Sequence, residues 1–276
     1  MADSVPRPAQ YAAEHAREYD RGMDVLFKTF GVDEGALREQ LTGLLHLGPA
    51  ALVLETGCGT GRDTVHLAAK TGMLYATDLS PDMIEIARAR LATAGVTPER
   101  CRLMTADATA LPFDDAFFDA AYHFGGINLF PDVRKGIAEM ARVVKPGGRV
   151  VFGDEGVAPW LAESEFGKIL RNSNELYRLQ PPLALLPVSA RDVACRWILN
   201  GAFYVVDFTV GTGEPFLDLD LPFPGWRGGS HRTRYYGKLD GVAPEIRQQV
   251  VDAAAGAGLS ITDWLEQTLS AALKPK

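Results

Sequence analysis

The chain has 276 residues, of which 47% are hydrophobic and 23% charged, as in a globular protein and unlike a disordered or fibrous one. Its formal net charge of −7 argues against a dedicated nucleic-acid binder, which usually presents a basic face. No apolar run approaches the ~18 residues of a membrane span. The three cysteines form no CxxC pair, so we expect neither a metal site nor a disulfide framework. These features favour a cytoplasmic protein with no membrane association.

The first fifty residues carry apolar side chains at helical spacing, which predicts two helices, over 11–30 and 34–45. From there to residue 153, short apolar runs alternate with helical patterns. They predict strands at 51–54, 73–76, 102–105, 118–123 and 149–153, and helices at 63–70, 82–94 and 133–144. Strands that alternate with helices imply βαβ units and a parallel sheet, so this part of the chain is predicted to be an α/β domain.

Beyond residue 155 the pattern is weaker. We predict a helix over 160–177, strands over 202–210 and 232–239, a Pro- and Gly-rich loop over 214–229 between them, and helices over 244–257 and 260–273. The predicted organisation is a helical cap (1–48), an α/β core (49–155), a substrate-side insertion with the last sheet strands (156–239) and a C-terminal helix pair (240–276).

The strongest chemical signal is a glycine-rich turn after the first predicted strand. It reads ETGCGTG, with Gly57, Gly59 and Gly61 at alternate positions and Glu55 two residues before the first of them. Glycine tolerates positive φ and lets a ligand touch the backbone. The spacing differs from the G-x-G-x-x-G of dinucleotide-binding folds, and a carboxylate at position 55 would repel a pyrophosphate. The turn therefore suits a ligand with an amino or sulfonium cation.

Two aspartates follow the next two predicted strands. Asp78 ends the second strand, where an acid can hydrogen-bond both hydroxyls of a ribose. Asp107 comes just after the third strand, within reach of an adenine edge. The two positions predict a nucleoside site beside the glycine-rich turn.

Four segments in this order, LETGCGTG, ATDLSPDMIEIAR, ADATALPF and VVKPGGRVVF, resemble the class I S-adenosylmethionine-dependent methyltransferases, and within them the group that includes the ubiquinone and menaquinone methyltransferases. The resemblance covers residues 52–154. It implies a Rossmann-like methyltransferase fold with a mostly parallel seven-stranded sheet whose last strand is antiparallel, and S-adenosylmethionine as cofactor. The final two strands would then be 202–210 and 232–239.

The resemblance also implies the cofactor contacts, which come from the turns after the first three strands. They are the methionine contacts Glu55, Gly57 and Gly59, the ribose contact Asp78, and the adenine contacts Leu79, Asp107 and Ala108.

The methyl acceptor should lie at the ends of the fourth and fifth strands, because ligands bind at the carboxyl ends of strands in open α/β sheets. His123 is the candidate general base, since the unperturbed pKa of histidine is near neutrality; alternatively it hydrogen-bonds a loop carbonyl or shapes the pocket. Asn128 could orient a substrate. Asp154 and Glu155 could bind a substrate amine, act as bases, or cap the following helix.

An aromatic and basic cluster follows the long loop. Trp226, His231 and Tyr235 are candidate acceptor contacts and would suit an acceptor with some negative charge, although a solvated strand with alternating faces explains them equally well.

The segment from residue 232 onward also resembles a ribbon-helix-helix module, which dimerises through an antiparallel ribbon and often binds DNA. We therefore carry two hypotheses. The first is a methyltransferase that modifies an O, N or C nucleophile of a small molecule, such as a quinone-like compound or a secondary metabolite, with a homodimer as one arrangement. The alternative is a cofactor-binding regulatory protein that dimerises or binds DNA through this module.

Overall fold

The computed structural model describes residues 13–224, 229–236, 239 and 242–274. The chain divides into two compact units, Met1–Pro215 and Phe216–Lys276. In the first unit the helices are α1 (Ala13–Phe30), α2 (Glu34–Gly43), α3 (Arg62–Lys70), α4 (Pro81–Thr93), α5 (Val133–Val143) and α6 (Glu165–Ser173). Its strands are β1 (Leu52–Thr56), β2 (Met73–Asp78), β3 (Cys101–Thr105), β4 (Phe118–Phe124), β5 (Val144–Glu155), β6 (Ala190–Ile198) and β7 (Phe203–Val210).

The seven strands form one sheet in the order β3-β2-β1-β4-β5-β7-β6. The first five strands pair in parallel, and β7 lies between β5 and β6, antiparallel to both. The chain order reverses between β1 and β4, so their carboxyl ends diverge into a crevice where ligands of open α/β sheets bind. The predicted mostly parallel seven-stranded sheet is confirmed, including its antiparallel last strand.

Both faces of the sheet are covered, which explains why its central strands are apolar without alternation. On one face, side chains such as Val53, Leu74 and Tyr122 pack against α1 to α4. On the other, Leu54 and Phe152 pack with residues of α5. A short polar side chain caps α4: the hydroxyl of Ser80 accepts from the Met83 amide at the start of this helix.

The prediction of a strand at 232–239 is wrong. The partner of β7 is β6, and residues His231–Tyr236 form a helix, α7. The hydroxyl of Ser230 accepts from the Thr233 amide, which favours a helical turn at this point. Strand β6 was missed because it is an edge strand with charged side chains and a register shift between Arg191 and Ala194, which interrupts the alternation.

The predicted helix over 160–177 is divided. Ser164 starts α6 by accepting from the Gly167 amide, and Asn174 caps a separate 3-10 turn, Glu175–Arg178. Short polar side chains that bond nearby amides favour such breaks.

The second unit contains α7, α8 (Pro244–Gly256) and α9 (Ile261–Ala272), so the C-terminal helix pair is confirmed. The ribbon of a ribbon-helix-helix module is not present in the described part of this unit, because α7 occupies its place. Among the described residues, no helix is long and apolar enough to cross a membrane. The four-part division predicted from the sequence remains a prediction.

Candidate active site

A cavity of about 650 Å³ opens at the carboxyl ends of the central parallel strands, within the first unit. Ligand sites of this size are usual for small molecules and cofactors. Its walls come from the turns after β1, β2, β3 and β4, with further residues from α1, α2, α3, β5 and β7. The predicted site residues that line it are Gly57, Gly59, Asp78, Leu79, Asp107, Ala108, His123 and Glu155.

The glycine-rich turn needs its glycines for two different reasons. Gly57, Gly59 and Gly61 all have positive φ, where side chains are strained. A Cβ at Gly57 would lie 2.9 Å from Cε1 of His123, so the turn and the end of β4 can pack only with glycine there. A Cβ at Gly59 would meet nothing within 4 Å, so at this position the backbone faces open space.

The two predicted aspartates line the cavity in the turns after β2 and β3. Asp78 accepts from the amide of Gly59 at 2.8 Å with one oxygen and from that of Ser80 at 2.9 Å with the other. Each carboxylate oxygen keeps a second lone pair for a hydroxyl. Leu79 beside it is 51% exposed, an apolar side chain left uncovered on the cavity wall. Asp107 accepts from Thr109 with one oxygen only, which leaves the other free.

Glu55 differs from the other predicted cofactor contacts, because it does not line the cavity. Its side chain is 2% exposed and lies behind the glycine-rich turn, near Asp63 and Arg38. Burial, and next the charge of Asp63, raise the pKa of Glu55 to about 8, so at pH 7 the carboxyl is largely protonated. Because Glu55 does not line the cavity, its contact with a methionine amino group stays a prediction.

An ion-pair network that includes Arg38 and Asp63, the charged neighbours of Glu55, was missed by the sequence analysis. Arg38 is buried between Glu34 and Asp63, and Arg62 pairs with Glu34 and with Asp20 of α1. The Thr60 hydroxyl donates to Asp20 at 2.7 Å, which ties α1 to the glycine-rich turn. Glu34 and Arg38 are four residues apart on α2, but the other contacts join residues far apart in sequence, such as Glu34 with Arg62 and Asp20 with Thr60, and no local pattern could reveal them.

His123 is held at the end of β4 with a defined tautomer. Its Nδ1 lies 2.8 Å from the carbonyl oxygen of Thr56, so Nδ1 carries the proton and donates, and Nε2 is left as an unprotonated acceptor. The ring is 1% exposed and packs edge-on against Phe130. Nε2 has no hydrogen-bond partner among the described residues. Burial lowers the pKa of His123, although Asp154 opposes the shift, so the imidazole is neutral near pH 7.

The candidate acceptor residues near β5 form one hydrogen-bonded group. Asp154 is buried and accepts from the amides of Asn128 and Glu155. The Asn128 side chain donates to the Glu155 carbonyl at 2.9 Å and accepts from the Tyr204 hydroxyl at 3.0 Å. Of this group only Glu155 lines the cavity. Asp154 therefore caps the turn around Asn128 and not the following helix.

The third set of candidate acceptor residues belongs to the second unit. His231 packs edge-on against Phe223, and Tyr235 is 53% exposed, whereas Trp226 lies outside the described residues. Their acceptor role stays a prediction.

No group of His, Cys, Asp and Glu side chains that could hold a metal ion occurs in the described part of the chain. All three cysteines are free.

Comparison with known proteins agrees with the fold. Residues 53–148 match the family described as a methyltransferase domain. A demethylmenaquinone methyltransferase of Clavibacter sepedonicus is 35% identical over 161 residues, which cover 57% of this chain. The match spans 63% of that relative, less than two thirds of its length.

Two solved structures share the fold. One, from Methanococcus maripaludis and assigned as an S-adenosyl-L-methionine-dependent methyltransferase, superposes with a TM-score of 0.56 at 19% identity and covers 78% of this chain and 100% of its own. The other, phosphoethanolamine N-methyltransferase 2 of Haemonchus contortus in complex with S-adenosyl-L-methionine, gives a TM-score of 0.57 at 14% identity, with 74% and 58% coverage.

Fold, motifs and family match together define the class: the chain contains a class I, S-adenosylmethionine-dependent methyltransferase domain. Within that class it resembles the menaquinone methyltransferases. The predicted enzyme class and cofactor are thereby confirmed for this domain.

Proposed function

We propose that the whole protein methylates a small molecule, with a quinone-like compound or another secondary metabolite as the acceptor. The observation that carries the proposal is a cavity with two parts. Asp78 and Asp107 lie in the part proposed to bind the nucleoside, and the other part is lined mainly by apolar side chains, together with His123 and Glu155. The named relative that acts on demethylmenaquinone supports a ring-shaped acceptor.

The residues of the nucleoside end fit the cofactor. Asp78 and Asp107 keep free carboxylate lone pairs for hydroxyl and amino donors, Leu79 offers an uncovered apolar surface, and Gly59 leaves space for a ligand against the backbone. S-adenosylmethionine supplies an electrophilic methyl group at its sulfonium. The chain's own part is to orient the acceptor beside it and to take up the acceptor's proton where one is lost.

His123 is the proposed proton acceptor. In its neutral imidazole, Nδ1 donates to the Thr56 carbonyl and Nε2 has no hydrogen-bond partner among the described residues. This is the arrangement of a general base that is held in one tautomer. Because His123 is 1% exposed, side chains around the ring have to shift before an acceptor can reach Nε2. Catalytic hydrogen bonds often form only in the complex with the substrate.

The proposal includes a cytoplasmic location, which the three free cysteines support. The net charge of −7 supports an acceptor other than nucleic acid. The proposal also includes a homodimer as one arrangement of the protein.

The first test is calorimetric titration with S-adenosylmethionine, S-adenosylhomocysteine and NAD. We expect micromolar binding of the first two and none of NAD. Asp78→Asn should weaken binding by about 1–3 kcal/mol, roughly 5- to 150-fold, because it removes charge-assisted hydrogen bonds to the ribose.

The matched control is Asp82→Asn, which changes an exposed acid in the first turn of α4. It should leave binding unchanged. A folded wild-type protein that binds neither sulfur compound would contradict the proposed function, and unchanged affinity in Asp78→Asn would contradict the ribose contact.

A further inference from the structure

We propose that Glu155 and His123 form an acid–base pair that enolises a ketone, so that the methyl acceptor is a carbon next to a carbonyl group. The inference rests on the proposed function, which leaves open whether oxygen, nitrogen or carbon receives the methyl group. It gives Glu155 a catalytic role, as the hydrogen-bond and proton donor to the carbonyl oxygen.

Asp154 and Glu155 bring two carboxyls into contact at the end of β5. The Glu155 carboxyl is hydrogen-bonded to that of Asp154, which is 0% exposed. In the described part of the chain, neither carboxyl forms an ion pair with an arginine or lysine. Two carboxylates in contact without a counter-ion cannot both stay ionised, so the pair holds one proton.

The proton of this pair lies on Glu155. Asp154 accepts from the amide of Asn128 at 2.7 Å and from that of Glu155 at 2.9 Å, and both bonds favour its ionised form. Burial, and next the hydrogen bond with Asp154, raise the pKa of Glu155 well above its ordinary value.

Of the two carboxyls, only that of Glu155 belongs to a residue that lines the cavity. The cavity wall therefore carries a neutral carboxyl, which can donate to an oxygen of the acceptor. When it does so, the Glu155 hydroxyl turns from Asp154 to that oxygen, and Asp154 keeps its two amide bonds.

His123 supplies the base in the same cavity. Nδ1 donates to the Thr56 carbonyl, and Nε2 is a buried acceptor that has no hydrogen-bond partner among the described residues. A buried polar atom without a partner calls for an explanation, and a proton taken from the acceptor provides one. The charge of Asp154 favours the protonated ring, so it also stabilises the imidazolium that forms. The cavity thus presents one proton donor and one proton acceptor.

A ketone with an adjacent C–H bond matches both groups. Its carbonyl oxygen can only accept a hydrogen bond, as the Glu155 carboxyl requires, and bonding of that oxygen makes the neighbouring C–H bond more acidic. Apolar side chains of the cavity, among them Phe124, Leu129 and Phe203, favour a ring-shaped ketone with little charge elsewhere. An alcohol or phenol would need the base alone, and the neutral carboxyl would then have no part in the reaction.

In the proposed step, the C–H bond breaks and its proton goes to Nε2 of His123. The electron pair of that bond forms the C=C bond of the enol, and the carbonyl oxygen uses its former π pair to take the proton of Glu155. The enol carbon then bonds the methyl group, whose former bonding pair stays on sulfur, and the enol proton returns to Glu155. The proton on His123 leaves to water.

The test follows deuterium exchange of 2-tetralone, a bicyclic ketone with C–H bonds on both sides of its carbonyl. The full-length protein is loaded with S-adenosylhomocysteine in D₂O, so that NMR detects enolisation without methyl transfer. We expect exchange at C1 to be about 100-fold faster than in buffer, the lower end of what a positioned acid or base contributes.

Two substitutions of Glu155 separate its hydrogen bond from its proton. Glu155→Gln keeps an N–H donor but delivers no proton, so exchange should fall about tenfold. Glu155→Met keeps a similar shape without a donor, and His123→Asn removes the base, so both should bring exchange close to the rate in buffer. All three variants should keep the affinity for S-adenosylhomocysteine, which reports that they are folded.

Glu163→Gln is the matched control, because that glutamate is 84% exposed and does not line the cavity. It should keep the wild-type exchange rate. Wild-type exchange no faster than in buffer, or full exchange in Glu155→Met, overturns the inference. So does a ¹³C-labelled methyl group of S-adenosylmethionine that is found on the oxygen of 2-tetralone. Failure to bind S-adenosylhomocysteine would instead contradict the proposed function, so the two failures are distinguishable.

Discussion

At the scale of single residues, burial decides the protonation of the groups around the cavity. Glu55 and His123 both lie under the glycine-rich turn and both are shielded from water. Burial disfavours the charged form, so it raises the pKa of the acid and lowers that of the base. Both groups are therefore largely neutral at pH 7 before any ligand enters, which leaves His123 free to accept a proton.

The lowered pKa of His123 predicts a dependence of stability on pH. Below about pH 6.5 His123 binds a proton in the unfolded chain that it does not bind in the folded chain, so its contribution to the free energy of unfolding should fall as the pH decreases from 7.5 to 5.5. The raised pKa of Glu55 acts in the opposite direction, so the contribution of His123 is read from a comparison with a variant. His123→Asn keeps an amide donor for the Thr56 carbonyl and does not titrate. Urea unfolding at several pH values should therefore show that the free energy of unfolding of the wild type, relative to that of this variant, is lower at pH 5.5 than at pH 7.5.

The same variant tests the role in catalysis. Once an acceptor is identified, His123→Asn should lower turnover by about 10²- to 10⁴-fold, as for removal of a general base. Affinity for S-adenosylhomocysteine should be retained. A fully active variant would leave His123 with the structural role of packing against Gly57.

At the scale of elements, one buried carboxylate joins the last three strands of the sheet. Asp207 of β7 is 1% exposed and accepts from Arg149 of β5 and from Arg196 of β6. Arg149 also donates to the Leu44 carbonyl and to the Thr209 hydroxyl. The group spans both antiparallel pairings, and β5 carries Glu155 at its carboxyl end. The contact thus ties β5, which ends at Glu155, to the two strands beside it.

Removing the charge of Asp207 should destabilise the protein. Asp207→Asn leaves two guanidinium groups without their counter-ion, and breaking a buried ion pair costs about 3–5 kcal/mol. Arg196 is partly exposed and compensated by water, so we expect about 2–4 kcal/mol in urea unfolding.

Asp192→Asn is the control for this prediction. Asp192 is exposed and has a φ of 48°, a conformation that asparagine adopts readily. It should change stability by less than about 0.5 kcal/mol. Equal effects of the two substitutions would show that the ion pairs contribute nothing specific.

At the scale of the whole molecule, the boundary between the two compact units falls in an exposed segment. Residues 211–224 contain no helix or strand, and Phe216, Leu217 and Leu221 are exposed, with Phe216 at 94% exposure. Exposed segments without regular structure are preferred sites of proteolysis.

Limited digestion with chymotrypsin should therefore divide the chain first after Phe216, Leu217 or Leu221. The expected product is a large fragment that contains the whole sheet, identified by mass spectrometry. Phe216→Ala should slow its appearance, whereas Phe117→Ala, at an exposed phenylalanine within the first unit, should not. A first internal cut before residue 210 would contradict the boundary.

The sequence by itself determined the parallel core and the turns that line one end of the cavity. Apolar runs, caps such as Ser80 and the glycine spacing are local features, and each is written within about ten consecutive residues. For this reason the turns that carry Gly57, Asp78 and Asp107 were placed correctly from the sequence.

Only the tertiary structure decided which of these side chains face the cavity. It placed Glu55 behind the glycine-rich turn, joined Arg38 to Asp63, and paired β7 with β6 instead of with residues 232–239. These outcomes depend on contacts between residues far apart in the chain. The edge strand β6, for example, is held by the bond between Arg196 and Asp207 and has no regular alternation of apolar and polar residues. The hydrogen-bonded group of Glu155, Asn128 and Tyr204 is built from such distant contacts, since these residues meet only when the sheet has formed.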